Sequence, residues 1–269
     1  MKPLKLFWSG GRDNVLNYGD ILSPALVEML SRRKVVYAAP ETADLSAIGS
    51  ILQRACKGLW SRPLFGRLDR LLVWGSGAMR AAPPIRHRLL DIRAVRGPMT
   101  RDLAGLSGDI PLGDPGLLAP LLIDGAKIER KHAFGVVPHV SDFSDPQVAM
   151  LADRLPHAAV IDLASPDIAG VTKQIASCEV ILSSSLHGLI VADALQIPNA
   201  RLKFADRIRG GDWKFDDHFL CVEKPIVPAL RVSDLQGPQS LDDRLQLAAR
   251  GKIEELQQGL LKSFSGLGF

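Results

Sequence analysis

Residues suited to chemistry concentrate in 178–198, CEVILSSSLHGLIVADALQIP, where an apolar run enters three serines, then Leu186, His187 and Gly188, then a second apolar run closed by Pro198. Where a buried strand of an open α/β sheet gives way to a helix, free backbone N–H groups and the helix dipole favour an anion. His187 stands at that point beside Ser184 and Ser185, placed to meet a phosphate or carboxylate. An empty helix start favours the neutral imidazole. A bound dianion raises its pKa and loads the ring with a proton, which makes a general acid. A histidine that only caps the helix satisfies the same spacing.

A second group lies in 14–24, NVLNYGDILSP, after the first apolar run. Asn17, Gly19 and Asp20 fall where a first βα loop faces a cleft, and Asp20 there accepts a proton from a hydroxyl. Aspartate is also an ordinary turn residue. In 73–79, VWGSGAM, a strand runs into Gly75, Ser76 and Gly77. The third glycine of a dinucleotide fingerprint is missing, so the segment reads as a tight turn showing amides to a ligand. In 94–101, AVRGPMTR, Arg96 ends a strand and Pro98 opens a helix; arginine clamps carboxylate or phosphate with two parallel bonds. Gly113-Asp114-Pro115, Pro138-His139 and the basic residues Arg201, Lys203, Arg207, Arg209 and Lys214 complete the set. Cations on both halves of the chain imply an anion-binding cleft between them.

The elements that must hold these residues follow from periodicity. Apolar runs of strand length at 4–8, 35–38, 71–74, 92–95, 134–137, 159–163, 180–182 and 200–202 are mostly separated by helical patterns. That rhythm is α/β with mostly parallel strands. Ser23-Pro24 reads as a hydroxyl cap and first-position proline opening a helix. The polar segment 123–132 places a boundary near 125, giving an amino-terminal domain over 1–125 and a second over 126–240. In 241–269, Leu241, Leu245, Ala248, Ile253, Leu256, Leu260 and Phe264 suit an amphipathic helix packed across both, broken near Gly251.

The chain has 269 residues, 46% of them apolar, with a net charge of +4; it is neither disordered nor membrane-spanning. The start turns polar after Trp8, too early for a signal peptide, which predicts a cytoplasmic protein. Cys56, Cys178 and Cys221 form no disulfide framework or zinc spacing. Residues 54–101 hold eleven basic side chains against Asp69 and Asp91. Aromatics amount to 6% and are not interleaved with them, which excludes a nucleic-acid surface. An anionic membrane face or a lipid-linked phosphate suits the run, as does a solvated arginine-rich surface.

The ordered blocks NYGDILSP, AIGSIL (47–52), VWGSGAM, AVRGPMTRDL, GDPGLLAP, GVVPH, SSLHGLIVADALQIPN and GGDWKFDDHF resemble the polysaccharide pyruvyl transferase family from about Asn17 to Phe219. The resemblance implies two Rossmann-like domains facing a cleft, similar to B-type glycosyltransferases. It implies transfer of a pyruvyl group from phosphoenolpyruvate to a sugar of a bacterial surface glycan or exopolysaccharide as a cyclic ketal. No metal or redox cofactor is called for. The acceptor is a glycan or lipid-linked oligosaccharide, with peripheral contact at the inner membrane face and no nucleic acid. On that reading His187 is the acid that protonates the donor's methylene carbon, and Asp20, or else His139, takes the hydroxyl proton. Arg96, Ser184, Ser185, Lys203, Arg207 and Lys214 bind the donor. Asn17, Gly75, Ser76 and His139 bind the acceptor. Where many relatives carry Arg-Leu-His, this chain has Ser185-Leu186-His187, which moves the donor clamp toward Lys203, Arg207 or Lys214. Two other readings are a nucleotide-sugar glycosyltransferase of the same fold and a non-catalytic glycan-assembly subunit.

Overall fold

The computed structural model describes residues 2–10, 16–66, 69–81, 85, 87–123, 128–205, 210–241 and 243–268. Two sheets, each parallel throughout, carry these residues. The first has the order β2-β1-β3-β4-β5, built from β1 (Leu4–Phe7), β2 (Val35–Tyr37), β3 (Leu45–Ser46), β4 (Leu71–Ser76) and β5 (Leu90–Val95). The second has the order β7-β6-β8-β9, from β6 (His132–Val137), β7 (Ala158–Val160), β8 (Cys178–Ser183) and β9 (Asn199–Arg201). The alternation of apolar runs predicts this α/β architecture with parallel strands, and each such run overlaps a strand; the division into two sheets matches the two Rossmann-like halves that the family resemblance implies. β3 escapes the pattern because it is two residues long, although both are buried at the centre of the first sheet.

The helices are α1 (Tyr18–Ser31), α2 (Leu52–Gly58), α3 (Pro98–Leu103), α4 (Pro146–Arg154), α5 (Ile168–Ala176), α6 (Leu186–Ala194), α7 (Trp213–Cys221) and α8 (Arg250–Ser265). Two expectations are corrected. α1 starts well before Ser23-Pro24: Asn17 caps it, its side chain accepting from the Gly19 amide, and Pro24 lies inside. Proline there removes the bond its N–H would have made to the Asp20 carbonyl and sets its ring against that carbonyl, while the Ser23 hydroxyl accepts from the Ile48 amide at 3.2 Å. Asp20 therefore sits in a helix's first turn rather than in a loop. The terminal helix is also shorter than the apolar pattern from Leu241. Gln246 pairs with Asn199 at the edge of the second sheet, and Gly251 is the second residue of α8 rather than a break in it.

From that edge the chain crosses back, and α8 packs on the first sheet, where Trp74 Nε1 donates to the Leu260 carbonyl at 3.0 Å. The 3-10 helix Pro115–Ile123 packs against α1, α5, α6 and α8. One apolar cluster thus runs from Leu6 and Trp74 through Leu117, Leu118 and Ala119 to Ile181, Ile190, Leu256 and Leu260. Each large aliphatic side chain buried there contributes about 1.5–3 kcal/mol, enough in sum to fix one half against the other. The boundary expected near 125, like Asn14 and Arg207, lies outside the described residues.

Candidate active site

The carboxyl ends of both sheets meet at a cavity of about 270 Å³, lined by Ser9, Asn17, Asp20, Gly49, Ser50, Met79, His139, Ser141, Ser185, Leu186, His187 and Lys214. The first turns of α1, α6 and α7 all open onto it, so three dipole ends add positive potential there, while the first amides of α1 are already taken up by Leu163 and Asn17. α1 is held in place from the opposite half: the Tyr18 amide donates to the Leu163 carbonyl at 2.7 Å, and the buried Tyr18 hydroxyl bonds Thr172 Oγ1 at 2.8 Å. α7 bridges the halves in both directions. Its Asp217 accepts from Arg96 Nε and from Thr100, while His218 Nε2 lies 2.9 Å from Asp193 of α6.

His187 sits in the first turn of α6 with its side chain 12% exposed. The ring lies flush against the α1 backbone: a Cβ on Gly19 would stand 2.0 Å from Nδ1 and 2.5 Å from Cγ, so the NYGD glycine is the seat of the imidazole. On its other side Nε2 is buried, has no hydrogen-bond partner among the described residues, and lies 3.8 Å from Asp114 Oδ2, a buried carboxylate oxygen equally without one among them. Burial pushes the His187 pKa down to about 4; Asp114 opposes this, and Lys214, Arg96 and His218 reinforce it. At that pKa the ring is neutral near pH 7, and an arriving anion would favour its protonation.

Three more groups complete the electrostatics. Burial raises Asp20 to about 6 against the pull of Arg54 and Lys214. Lys214 is buried and makes no ion pair among the described residues; burial, with Arg96 and Arg201 nearby, lowers it to about 8. His139, also held below the ordinary histidine value by burial and Lys214, bonds Ser141 Oγ through Nδ1 at 2.8 Å.

Of the residues singled out from sequence, Asn17, Asp20, His139, Ser185, His187 and Lys214 thus share one cavity. Of the others, Arg96, Ser184, Gly75, Ser76 and Lys203 do not line it. Arg96 is fully buried with each side-chain nitrogen engaged, by Asp217 at 3.0 Å, Ser50 Oγ at 2.6 Å and the Ala78 carbonyl at 2.7 Å, so three of its five N–H donors are committed inside the protein and it does not reach the cavity as a ligand clamp. Ser184 donates to Asp142 and accepts from the His139 amide, which places the His139 loop rather than a ligand. Ser76 donates to the Gly49 carbonyl, and Gly75, at φ +75°, lies against Pro115, where a Cβ would meet Cδ at 2.2 Å. The GSG turn is therefore the seat of the Gly113-Asp114-Pro115 turn. Lys203 is anchored through its amide to the Leu230 carbonyl and lies outside the lining, and Arg207 is outside the described residues. Sequence reasoning noted the turn holding Asp114 without giving the carboxylate a role; the pairing joins positions 73 residues apart and left no local signal.

A second cavity of about 680 Å³ adjoins the first through Ser9 and Asp20 and is walled by Phe7, Tyr37, Glu41, Arg54, Lys57 and Ser61. A third, of about 620 Å³ around Trp60, Ile85, Leu90 and Leu106, contains none of the residues above. The basic run 54–101 does not form one surface. Arg62 and Arg96 are buried, Arg93 pairs with Asp91, and Arg101 pairs with Asp102. Among the described residues no three potential metal ligands cluster, and no helix is long and apolar enough to cross a membrane.

A family model described as polysaccharide pyruvyl transferase matches residues 70–202. Residues 70–202 are thus similar to the polysaccharide pyruvyl transferase family. The matched stretch includes Asp114, His139, Ser185 and His187, while Asn17, Asp20 and Lys214 lie on either side of it. Two curated relatives match over a longer stretch of the chain. Uncharacterized protein L143 of Acanthamoeba polyphaga mimivirus is 28% identical over 217 residues, covering 76% of this chain and 70% of its own length. Succinoglycan biosynthesis protein ExoV of Rhizobium meliloti (strain 1021) is 28% identical over 218 residues, covering 79% of this chain and 63% of its own. Among solved structures, E. coli ADP-heptose LPS heptosyltransferase II aligns over 97% of this chain and 99% of its own, with a TM-score of 0.39 and 13% identity.

Proposed function

We propose that the protein transfers the pyruvyl group of phosphoenolpyruvate to two hydroxyls of a glycan sugar, forming a carboxyl-bearing cyclic ketal and releasing inorganic phosphate. The observation that carries this reading is the 270 Å³ cavity, in which an imidazole and an unpaired ammonium face the first turns of three helices. A small donor with a phosphate and a carboxylate is the ligand such a site favours. The match to polysaccharide pyruvyl transferases and the succinoglycan-related name of one relative support the polymer acceptor.

In this mechanism Lys214, the Ser185 hydroxyl and the free amides of α6 bind the donor's anionic groups. Their charge neutralisation draws a proton onto His187. The imidazolium gives that proton to the methylene carbon, which becomes the methyl group and leaves the adjacent carbon electron-poor. One sugar hydroxyl adds there, its proton passing to Asp20, whose raised pKa suits a base working near neutrality. Phosphate leaves with the bonding pair, and the second hydroxyl closes the ring, its proton going to the phosphate. The acceptor enters from the 680 Å³ cavity, whose shared wall is Asp20. No metal or redox group is needed for these steps.

The test is phosphate release from phosphoenolpyruvate in the presence of a panel of galactosides and glucosides, with ketal formation followed by mass spectrometry. His187→Ala should lower turnover by about 100-fold or more, as for loss of a positioned acid. Consumption of a nucleotide sugar with phosphoenolpyruvate untouched would replace this reading with the glycosyltransferase one, and an unchanged rate in His187→Ala would remove the acid.

A further inference from the structure

Two buried atoms in this molecule lack partners and face each other. Asp114 Oδ2 and His187 Nε2 are 3.8 Å apart, just beyond hydrogen-bond length, and neither bonds any other described group. Leaving both orphaned costs desolvation free energy twice over, and a small rotation of either side chain would relieve both. The carboxylate is firmly placed. Its other oxygen, Oδ1, accepts from the Gly116 amide at 2.9 Å, and Pro115 is seated on Gly75 at the end of β4. The carboxylate thus belongs to the first sheet's side of the molecule and the imidazole to the second's.

We propose that Asp114 is a positioning residue for His187: its Oδ2 takes the Nε2–H bond of the imidazolium, fixes the ring, and leaves Nδ1–H as the proton that reaches the substrate. Proton balance follows directly. The imidazolium carries protons on both nitrogens; Nδ1 gives one to the donor carbon, and the neutral ring that remains keeps Nε2–H on Asp114. Of the two nitrogens Nε2 is the enclosed one, which agrees with Nδ1 being the working atom. The groups facing the ring are Asp114 from the turn before Pro115–Ile123, which favours its charged form, and Lys214 and His218 of α7 and Arg96 after β5, which oppose it. Asp20 of α1 and His139 after β6 share its cavity. The only carboxylate among the groups that shift the ring is therefore the one at 3.8 Å. This assignment rests on His187 being the acid of the proposed reaction.

The charge-only variant is Asp114→Asn, whose side-chain oxygen still accepts from the Gly116 amide, so the turn is retained. The probe is nitrogen NMR of ¹⁵N-histidine-labelled protein, with the His187 signal assigned by His187→Gln. In the wild type without ligand at neutral pH, the ring should be the Nε2–H tautomer, and adding phosphoenolpyruvate should convert it to imidazolium. In Asp114→Asn, the same addition should leave the ring neutral, with turnover down by about 100-fold, the lower end of what a positioned acid supplies, and KM within about threefold. Asp114→Glu should recover part of both signals. An Nδ1–H tautomer in the wild type, or a folded Asp114→Asn with an unchanged His187 spectrum and turnover, would overturn the pairing. Failure of phosphoenolpyruvate to move the wild-type ring counts against the donor reading instead, and the tautomer of the empty protein then decides the pairing alone.

Discussion

Replacing Gly19 by alanine adds one methyl group to the first turn of α1 and places it 2.0 Å from His187 Nδ1, 2.5 Å from Cγ and 2.6 Å from Cε1. Carbon and nitrogen atoms in contact sit about 3.5 Å apart, so one partner must move by more than about 1 Å. α1 is not free to yield, because the neighbouring Tyr18 is tied to Leu163 and Thr172 across the interface. Nor is the α6 backbone, whose Leu189 and Ile190 are fully buried. The imidazole swings instead. A reacting group misplaced by 1 Å loses about 100-fold in rate, or about 2.7 kcal/mol of transition-state stabilisation. The fold should survive, since alanine is preferred to glycine within a helix by about 0.5–1 kcal/mol, which offsets part of the repacking. The assay is phosphate release from phosphoenolpyruvate alongside thermal unfolding: kcat should drop about 100-fold with Tm shifted by no more than about 4 °C. A folded Gly19→Ala with wild-type turnover refutes the reasoning, because the ring would then work equally well away from the seat on which the argument depends.

Lys214, lowered to about 8, is charged below that pH and loses its proton as pH rises through it. Anion binding must then restore the proton, so the Kd for phosphoenolpyruvate should weaken by up to about tenfold per pH unit above 8. Lys214→Arg, charged throughout, should flatten that slope in calorimetric titrations between pH 7 and 9.5, and an equal slope in the variant would exclude Lys214 as the donor's cation. Arg96→Met should act on stability: it leaves Asp217 buried without its cation and should cost about 3–5 kcal/mol in urea unfolding. A variant of unchanged stability that fails to bind phosphoenolpyruvate would return Arg96 to the role of ligand clamp.

The parallel strands were legible because both faces of such sheets are covered, which makes each strand a continuous apolar run; the two residues of β3 are too few to form one. The start of α1 was hidden by the strong local signal of Ser23-Pro24, which outweighed an asparagine cap at 17. Within the site, the groups read correctly as neighbours are those at strand ends and helix starts, Asp20, His139, Ser185 and His187, because topology alone brings these positions to one edge. What sequence could not supply is the partner of each charge. Arg96 and Lys214 look alike as basic residues beside a turn, yet Arg96 meets Asp217 121 positions later and is neutralised, while Lys214, three residues before that aspartate, has no ion pair among the described residues. α7 thus does two things at once. Its Asp217 takes up the arginine of the opposite half, and in doing so holds the first turn of the same helix, with its unpaired ammonium, against the cavity. That links the stability of the interface to the position of the cation, so loosening the Arg96 pair should also displace Lys214, whereas removing the Lys214 charge should leave the interface intact.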